Sequence, residues 1–184
     1  MLSEKMLEGL SDQLNAEWYS SYLYISMAAY FESLNLKGFA HWMSVQAKEE
    51  WVHGELFYKQ IVDRRGRVLL KAIEKPPMEW KSPEAAFAHT LDHEQLVTGR
   101  INKLVDQSVS ESDHATRSFL QWLVDEQVEE EASADEILQQ LRLIGDNVHA
   151  LLMLDRELAA RVFALPTVAA GTGTALITGG GAAA

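Results

Sequence analysis

Glu50-Trp51-Val52-His53 is the stretch that most restricts what this chain can fold into. An acid and an imidazole three residues apart share one face of a helix. That face is also the apolar one: Phe39, Met43, Gln46, Glu50, His53, Phe57 and Ile61 recur at steps of three and four. An ionisable pair inside a core stripe costs several kcal/mol unless something compensates it, and a bound metal ion is the commonest compensation. A lone Glu-x-x-His is more often a surface pair or a satisfied core histidine. The metal reading therefore needs further ligands from other elements at the same level.

Composition narrows the chemistry. The 184 residues contain no Cys, which excludes disulfides, thiolate nucleophiles and Cys-ligated zinc or iron–sulfur sites. Carboxylate oxygen and imidazole remain, and they suit Fe, Mn, Mg or Ca. A net charge of −11 disfavours nucleic acid and anionic membranes as partners and favours accumulation of cations. No run of about 18 apolar residues is present, so no membrane span is expected. The N-terminus MLSEKMLEGL lacks the basic end and apolar run of a signal peptide, which predicts a cytoplasmic protein.

The chain reads as helix from Ser3 to Phe163. Leu7, Leu10, Leu14, Glu17, Ser21, Tyr24, Ala28 and Phe31 mark the first stripe. Asn35 to Gly38 form a short turn, and the second helix runs from about Gly38 to Arg65. The segment from Gly66 to Lys81 holds Pro76-Pro77 and an apolar patch, Val68-Leu69-Leu70, suited to burial under a neighbour or a partner chain. Its extended reach of roughly 50 Å exceeds the roughly 42 Å of a helix of about 28 residues. The third helix is thus free to run parallel to the second. Ser82-Pro83-Glu84 starts it, and it carries Phe87, Leu91, Glu94, Thr98, Ile101 and Val105 to about Ser110. Ser112 or Asp113 caps the fourth, whose stripe is Leu120, Leu123, Gln127, Glu130, Ala134, Ile137, Leu141 and Ile144. Gly145 stops it, and a fifth, shorter helix runs from Asp146 or Asn147 to about Phe163. This is an all-α architecture: a four-helix bundle with one long crossover and a short fifth helix, of the ferritin-like type. Residues 1–165 form the domain. Residues 166–184 are a Gly/Ala/Thr tail with too little side chain to order itself: a loose end, a pore-associated segment or an appended remnant.

Each of the four long helices carries a polar, metal-competent residue in mid-stripe: Glu17, then Glu50 with His53, then Glu94, then Gln127 with Glu130. Mid-helix positions meet at one level whichever way the helices run. The spacing repeats. Glu17 to Glu50 and Glu94 to Gln127 are both 33 residues, and Glu17 to His53 and Glu94 to Glu130 are both 36. A shift of 77 superimposes one set on the other. One helix hairpin is used twice, with Gln and Glu replacing Glu and His in the second copy. Carboxylates and an imidazole in pseudo-twofold arrangement suit a dinuclear metal site, with Glu50 central enough to bridge. No Lys or Arg falls in the stripes at that level.

With these residues in view, the chain resembles a bacterial non-haem ferritin over residues 1 to about 163. The resemblance rests on Glu17, Tyr24, Glu49-Glu50-x-x-His53, Glu94, Trp122 and Glu126-Gln127-x-Glu129-Glu130. It implies a homo-oligomeric shell of about twenty-four subunits, oxidation of Fe2+ by dioxygen or hydrogen peroxide, and a stored ferric oxyhydroxide mineral. It implies one iron on Glu17, Glu50 and His53 and a second on Glu50, Glu94 and Glu130, with Gln127 beside them. A third, inner iron site would use Glu49, Glu126, Glu129 and Glu130. Bacterioferritins have Glu-x-x-His in both halves and a Met haem ligand where this chain has Val52, so no haem is expected.

The remaining residues divide between function and packing. Tyr24, two turns beyond Glu17, suits an outer residue that supplies an electron or a hydrogen bond, and equally a core Tyr; the resemblance favours function. Trp122 reads as a bulky packing aromatic. His93 points about 100° away from Glu94, and His41, His89 and His149 read as surface or interface. Glu111, Asp113 and His114 read as a solvated helix start, although the resemblance places a threefold pore there. Glu131 reads as ordinary surface. The rival readings are another di-iron or manganese carboxylate oxidase, and a plain helical bundle whose acids pair with Arg64, Arg65, Arg100 or Arg117.

Overall fold

The computed structural model describes residues 1–164. Five helices and no strand occur among them: α1 Glu4–Ser33, α2 Lys37–Asp63, α3 Pro83–Ser110, α4 His114–Ile144 and α5 Val148–Leu158. Local chemistry sets most boundaries. Ser3, Ser82, Asp113 and Asn147 each accept a hydrogen bond from a backbone N–H in the first turn of the helix they precede. Asn35, Arg65 and Ser112 take the left-handed conformation just past α1, α2 and α3. In each case the next residue's N–H reaches back to close the helix: Leu36 to Phe31, Gly66 to Ile61, Asp113 to Ser108. At the end of α2 it is therefore Arg65, and not Gly66, that takes the left-handed turn.

The helix directions follow from the cross-links. Tyr24 meets Glu94, Gln13 meets Arg100 and Ser3 meets Glu111, so α1 and α3 are antiparallel. Gln46 meets Glu130 and Arg64 meets Asp113, so α2 and α4 are antiparallel as well. With short turns after α1 and α3, the order is up-down-down-up, and α3 runs parallel to α2 as the crossover length allows. The crossover lies along α1, tied to it by Asn15 at Leu69 and Lys71 and by Ser26 at Pro77. Of its apolar patch only Val68 packs against the core, whereas Leu69 and Leu70 remain exposed.

Two apolar clusters fill the bundle. One holds Tyr24, Met27, Phe31, Phe39, Met43, Phe87 and Leu138 toward one end. The other holds Met6, Leu10, Leu14, Phe57, Ile61, Ile101 and Leu120 toward the opposite end. The layer between them is polar.

The fifth helix ends at Leu158, five residues short of the sequence expectation. Beyond it the chain turns back against α2, where Arg161 bonds Glu49 and stacks over Trp42, and these tertiary contacts replace further helical turns. Asp155 of α5 also completes α2, whose N-cap Leu36 has no side-chain acceptor to offer. Its carboxylate accepts from the N–H groups of Gly38 (2.8 Å) and Phe39 (3.1 Å). A Cβ at Gly38 would lie 1.5 Å from the Asp155 carbonyl oxygen, so this docking requires glycine. No helix is long and apolar enough to cross a membrane among the described residues. The expected tail, residues 166–184, lies outside them.

Candidate metal centre

All six residues of the duplicated spacing lie in the polar layer. Glu17 and Glu94 are 1% exposed, Glu50 and His53 2%, and Gln127 and Glu130 little more. Each stands on its helix's apolar stripe, so burial of the stripe carries the acids inward.

Glu17, Glu50 and His53 form the tightest group. Each offers one ligand atom, and the three atoms lie within 4.8 Å of one another. His53 Nδ1 is 3.4 Å from Glu50 Oε2. Gln13, one turn before Glu17, donates to Glu17 Oε1 at 2.9 Å, while Glu17 Oε2 is buried with no partner. Gln46, one turn before Glu50, donates from Nε2 to Glu50 Oε1 (3.0 Å) and to Glu130 Oε2 (2.7 Å), joining α2 to α4. The other half is held differently. The Tyr24 hydroxyl donates to Glu94 Oε1. Gln127 Nε2 donates to the Glu94 backbone carbonyl (3.2 Å) and to Thr98 Oγ1 (3.2 Å), with Glu94 Oε2 at 3.4 Å.

Burial sets the electrostatics. It pushes the carboxyls of Glu17 and Glu94 up to about 8, and in both the charge of Glu50 adds to the effect. Glu50 and Glu130 are raised as well, first by burial, then by Glu130 acting on Glu50 and Glu94 acting on Glu130. Burial also raises the Tyr24 phenol, with Glu94 adding to it. Four crowded carboxyls with no Lys or Arg among their hydrogen-bond partners hold protons where surface acids would not. A divalent cation reverses this: it replaces the protons and neutralises the repulsion. The oxygen-rich donor set with one imidazole, and the partnerless Glu17 oxygen, fit such an ion.

Two of the four arginines that a purely structural bundle would have used, Arg64 and Arg100, are engaged elsewhere. Arg64 pairs with Asp113, which also caps α4, and Arg100 bonds Gln13 and the Asp12 carbonyl. Glu111 accepts from Ser3 and Gln107, in keeping with an ordinary helix start. Of the inner acids, Glu49 and Glu126 are half-buried and Glu129 is exposed. Trp122 is half-buried, with its ring edge-on to His53 at 5.5 Å between centroids.

Five positions differ from the sequence reading or escape it. Glu131 is not free surface: it is half-buried, accepts from Thr98, and lines a cavity of about 290 Å³ with Thr98, Ile101 and Gln127. His93 does point away from the acids, but it is buried, 2.8 Å from Ser20 Oγ and edge-on to Tyr24, and burial pushes its pKa down to about 4. Gln13 and Gln46 are amides in apolar stripes one turn ahead of an acid, a signal that would have found them. Arg161 carried no such signal, because only the turn after α5 brings it to Glu49.

A family model described as a ferritin-like domain matches residues 7–144. The bacterial non-heme ferritin of Staphylococcus aureus (strain USA300) is 40% identical over 163 residues, 89% of this chain and 98% of that protein. That of Staphylococcus haemolyticus (strain JCSC1435) is 42% identical over the same span and shares. Among solved structures, a closed form of the Archaeoglobus fulgidus ferritin engineered by site-directed mutagenesis is 55% identical with a TM-score of 0.88. The alignment covers 89% of this chain and 100% of that one. An open pore ferritin from the same archaeon is also 55% identical, with a TM-score of 0.87 over 88% and 100% of the two chains.

Proposed function

The chain belongs to the ferritin family, and from that premise we propose that it stores and detoxifies iron by oxidising Fe2+ at a site inside each subunit. Glu17, Glu50 and His53 bind one Fe2+, and Glu50, Glu94 and Glu130 bind a second, with Glu50 shared. Gln127 steadies Glu94 from the side. Glu49, Glu126, Glu129 and Glu130 form an inner site on the path to the mineral. The observation that carries this reading is the convergence of Glu17, Glu50 and His53 in a buried layer, with one Glu17 oxygen left without a partner.

Iron is the substrate here. Each Fe2+ gives up one electron, so a pair supplies the two that turn dioxygen into hydrogen peroxide, or peroxide into water. The chain's own residues provide the rest. The carboxyls release their protons as the ions enter, and hydrolysis of Fe3+ releases more. Carboxylate-rich ligation binds Fe2+ well enough to pair the ions and weakly enough to release the product. Tyr24, hydrogen-bonded to Glu94, orients that carboxylate and stands where it can pass an electron.

We also propose a hollow homo-oligomeric cage of about twenty-four subunits in the cytoplasm, with no haem, since Val52 offers no ligand atom. Supporting self-association, α1 and α2 expose Tyr22, Ile25, Trp51, Tyr58 and Val62 on their outer surface.

An aerobic titration tests the chemistry. Fe2+ is added anaerobically, air is admitted, and near-ultraviolet absorbance is followed. Fast protein-dependent oxidation that is lost in His53→Ala/Glu130→Ala supports the reading; equal rates for both proteins exclude it. Size-exclusion elution near 20.6 kDa, the mass of one chain, would remove the storage role.

A further inference from the structure

Arg161 lies just past the end of α5, outside the duplicated cluster. Its position is nonetheless over-determined. Nη2 is 2.5 Å from Glu49 Oε2. Its guanidinium lies 4.2 Å above the Trp42 ring. Its carbonyl oxygen is 2.8 Å from His41 Nε2. Trp42 and Glu49 are two turns apart on α2 and share a face, so the side chain lies along the helix between them. Both partners of the ion pair are mostly buried, with side-chain exposures of 21% and 13%. Nη1 is buried with no hydrogen-bond partner among the described residues, so the guanidinium has donor capacity left over there.

What surrounds it is the inner acidic cluster. The Arg161 charge favours the ionised forms of Glu49, Glu126 and Glu130 against their burial. A cation already stands where an inner iron would need to be held. A guanidinium and a divalent ion compete for the same carboxylate, because both need its lone pairs and like charges repel at this range.

We propose that Arg161 is a positioning residue for the inner cluster: its guanidinium holds Glu49 and supplies the positive charge there until an incoming cation displaces it, so the inner site passes iron onward instead of retaining it. This rests on the reading of Glu49, Glu126, Glu129 and Glu130 as an inner iron site. A tethered cation suits a transit site. It holds the Glu49 carboxylate in place while no iron is present. It returns when the ion leaves, so each ion is pushed out by a competitor that cannot itself diffuse away.

Anaerobic calorimetric titration of the intact assembly with Fe2+ tests this, comparing wild type with R161Q, R161K and E49Q. Two ions should bind tightly in the wild type and a third more weakly. R161Q should tighten the third by about tenfold, and more iron should stay with the protein after gel filtration. R161K, which keeps the charge, should return toward wild type. E49Q should lose the third ion. An unchanged or weaker third ion in R161Q overturns the proposal, as does R161K behaving like R161Q. Should R161Q fail to assemble, His41→Ala loosens the same strap from an exposed position and must shift the third ion in the same direction, by about threefold. The two readings fail separately. No tight ion in the wild type removes the metal centre itself, whereas two tight ions with no third in any variant removes only the inner-site proposal.

Discussion

In the first half of the buried cluster, Glu17, Glu50 and His53 turn their ligand atoms to one point, and one Glu17 oxygen is left open. In the second half, Glu94 is tied to Tyr24 and Gln127, and Glu130 is tied across the bundle to Gln46. The 77-residue shift relates the principal residues of the two halves but not their supports. Gln13 and Gln46 correspond to Thr90 and Leu123, and Tyr24 corresponds to Ile101. The difference teaches that duplication of a ligand pattern need not duplicate a site. Both halves hold hydrogen bonds that an ion would disturb, but from different donors, Gln13 on Glu17 in the first and Tyr24 with Gln127 on Glu94 in the second, so the two ions should bind with unequal affinity.

The comparison breaks most severely at the residue both halves share. Glu50→Ala should lower the initial rate of Fe2+ oxidation by on the order of a hundredfold or more, read by stopped-flow absorbance. A residual rate above about a tenth of wild type would mean that the halves act independently.

Tyr24→Phe removes a support found only in the second half. It should slow oxidation by about tenfold while leaving the first ion's affinity in place. Equal weakening of both ions in anaerobic titration would show that the tyrosine serves the whole layer. Gln127→Glu restores the acid of the first copy and should narrow the gap between the two affinities by about threefold. A widened gap would show that the amide favours the second ion.

The smallest effect concerns pH. Glu17 and Glu94 titrate near 8 in the fold and near 4.5 when unfolded, with Glu50 and Glu130 raised alongside. Between those values the folded chain binds more protons than the unfolded one, so stability without metal falls as pH rises through that window. Ligation needs the same carboxylates ionised. The rise in Tm on adding Zn2+ should therefore be a few degrees larger at pH 8 than at pH 6, by scanning calorimetry. A pH-independent rise would separate the bound ion from these carboxyls.

Much of this molecule was legible in its residues because the relevant signals are local. The apolar steps of three and four delineate four helices, and Ser3, Ser82 and Asp113 cap three of them where a helix start requires it. Glu17, Glu50, His53, Glu94 and Glu130 stand out because charge on an apolar stripe has no innocent local explanation. Glu131 misled for the complementary reason. It follows two acids proposed as iron ligands in a charged run, and only the packing of α3 on α4 brings Thr98 to it.

The order of residues along the chain by itself determined the helices, the long crossover and the level at which the acids meet, since periodicity and length are properties of the chain alone. Only the tertiary structure decided which carboxylate oxygen stays open, that Asp155 of α5 completes the start of α2, and that Arg161 reaches Glu49. Those contacts join residues more than a hundred positions apart through single side chains. No repeat or spacing announces them, and they exist only once the bundle has brought the two ends of the chain together.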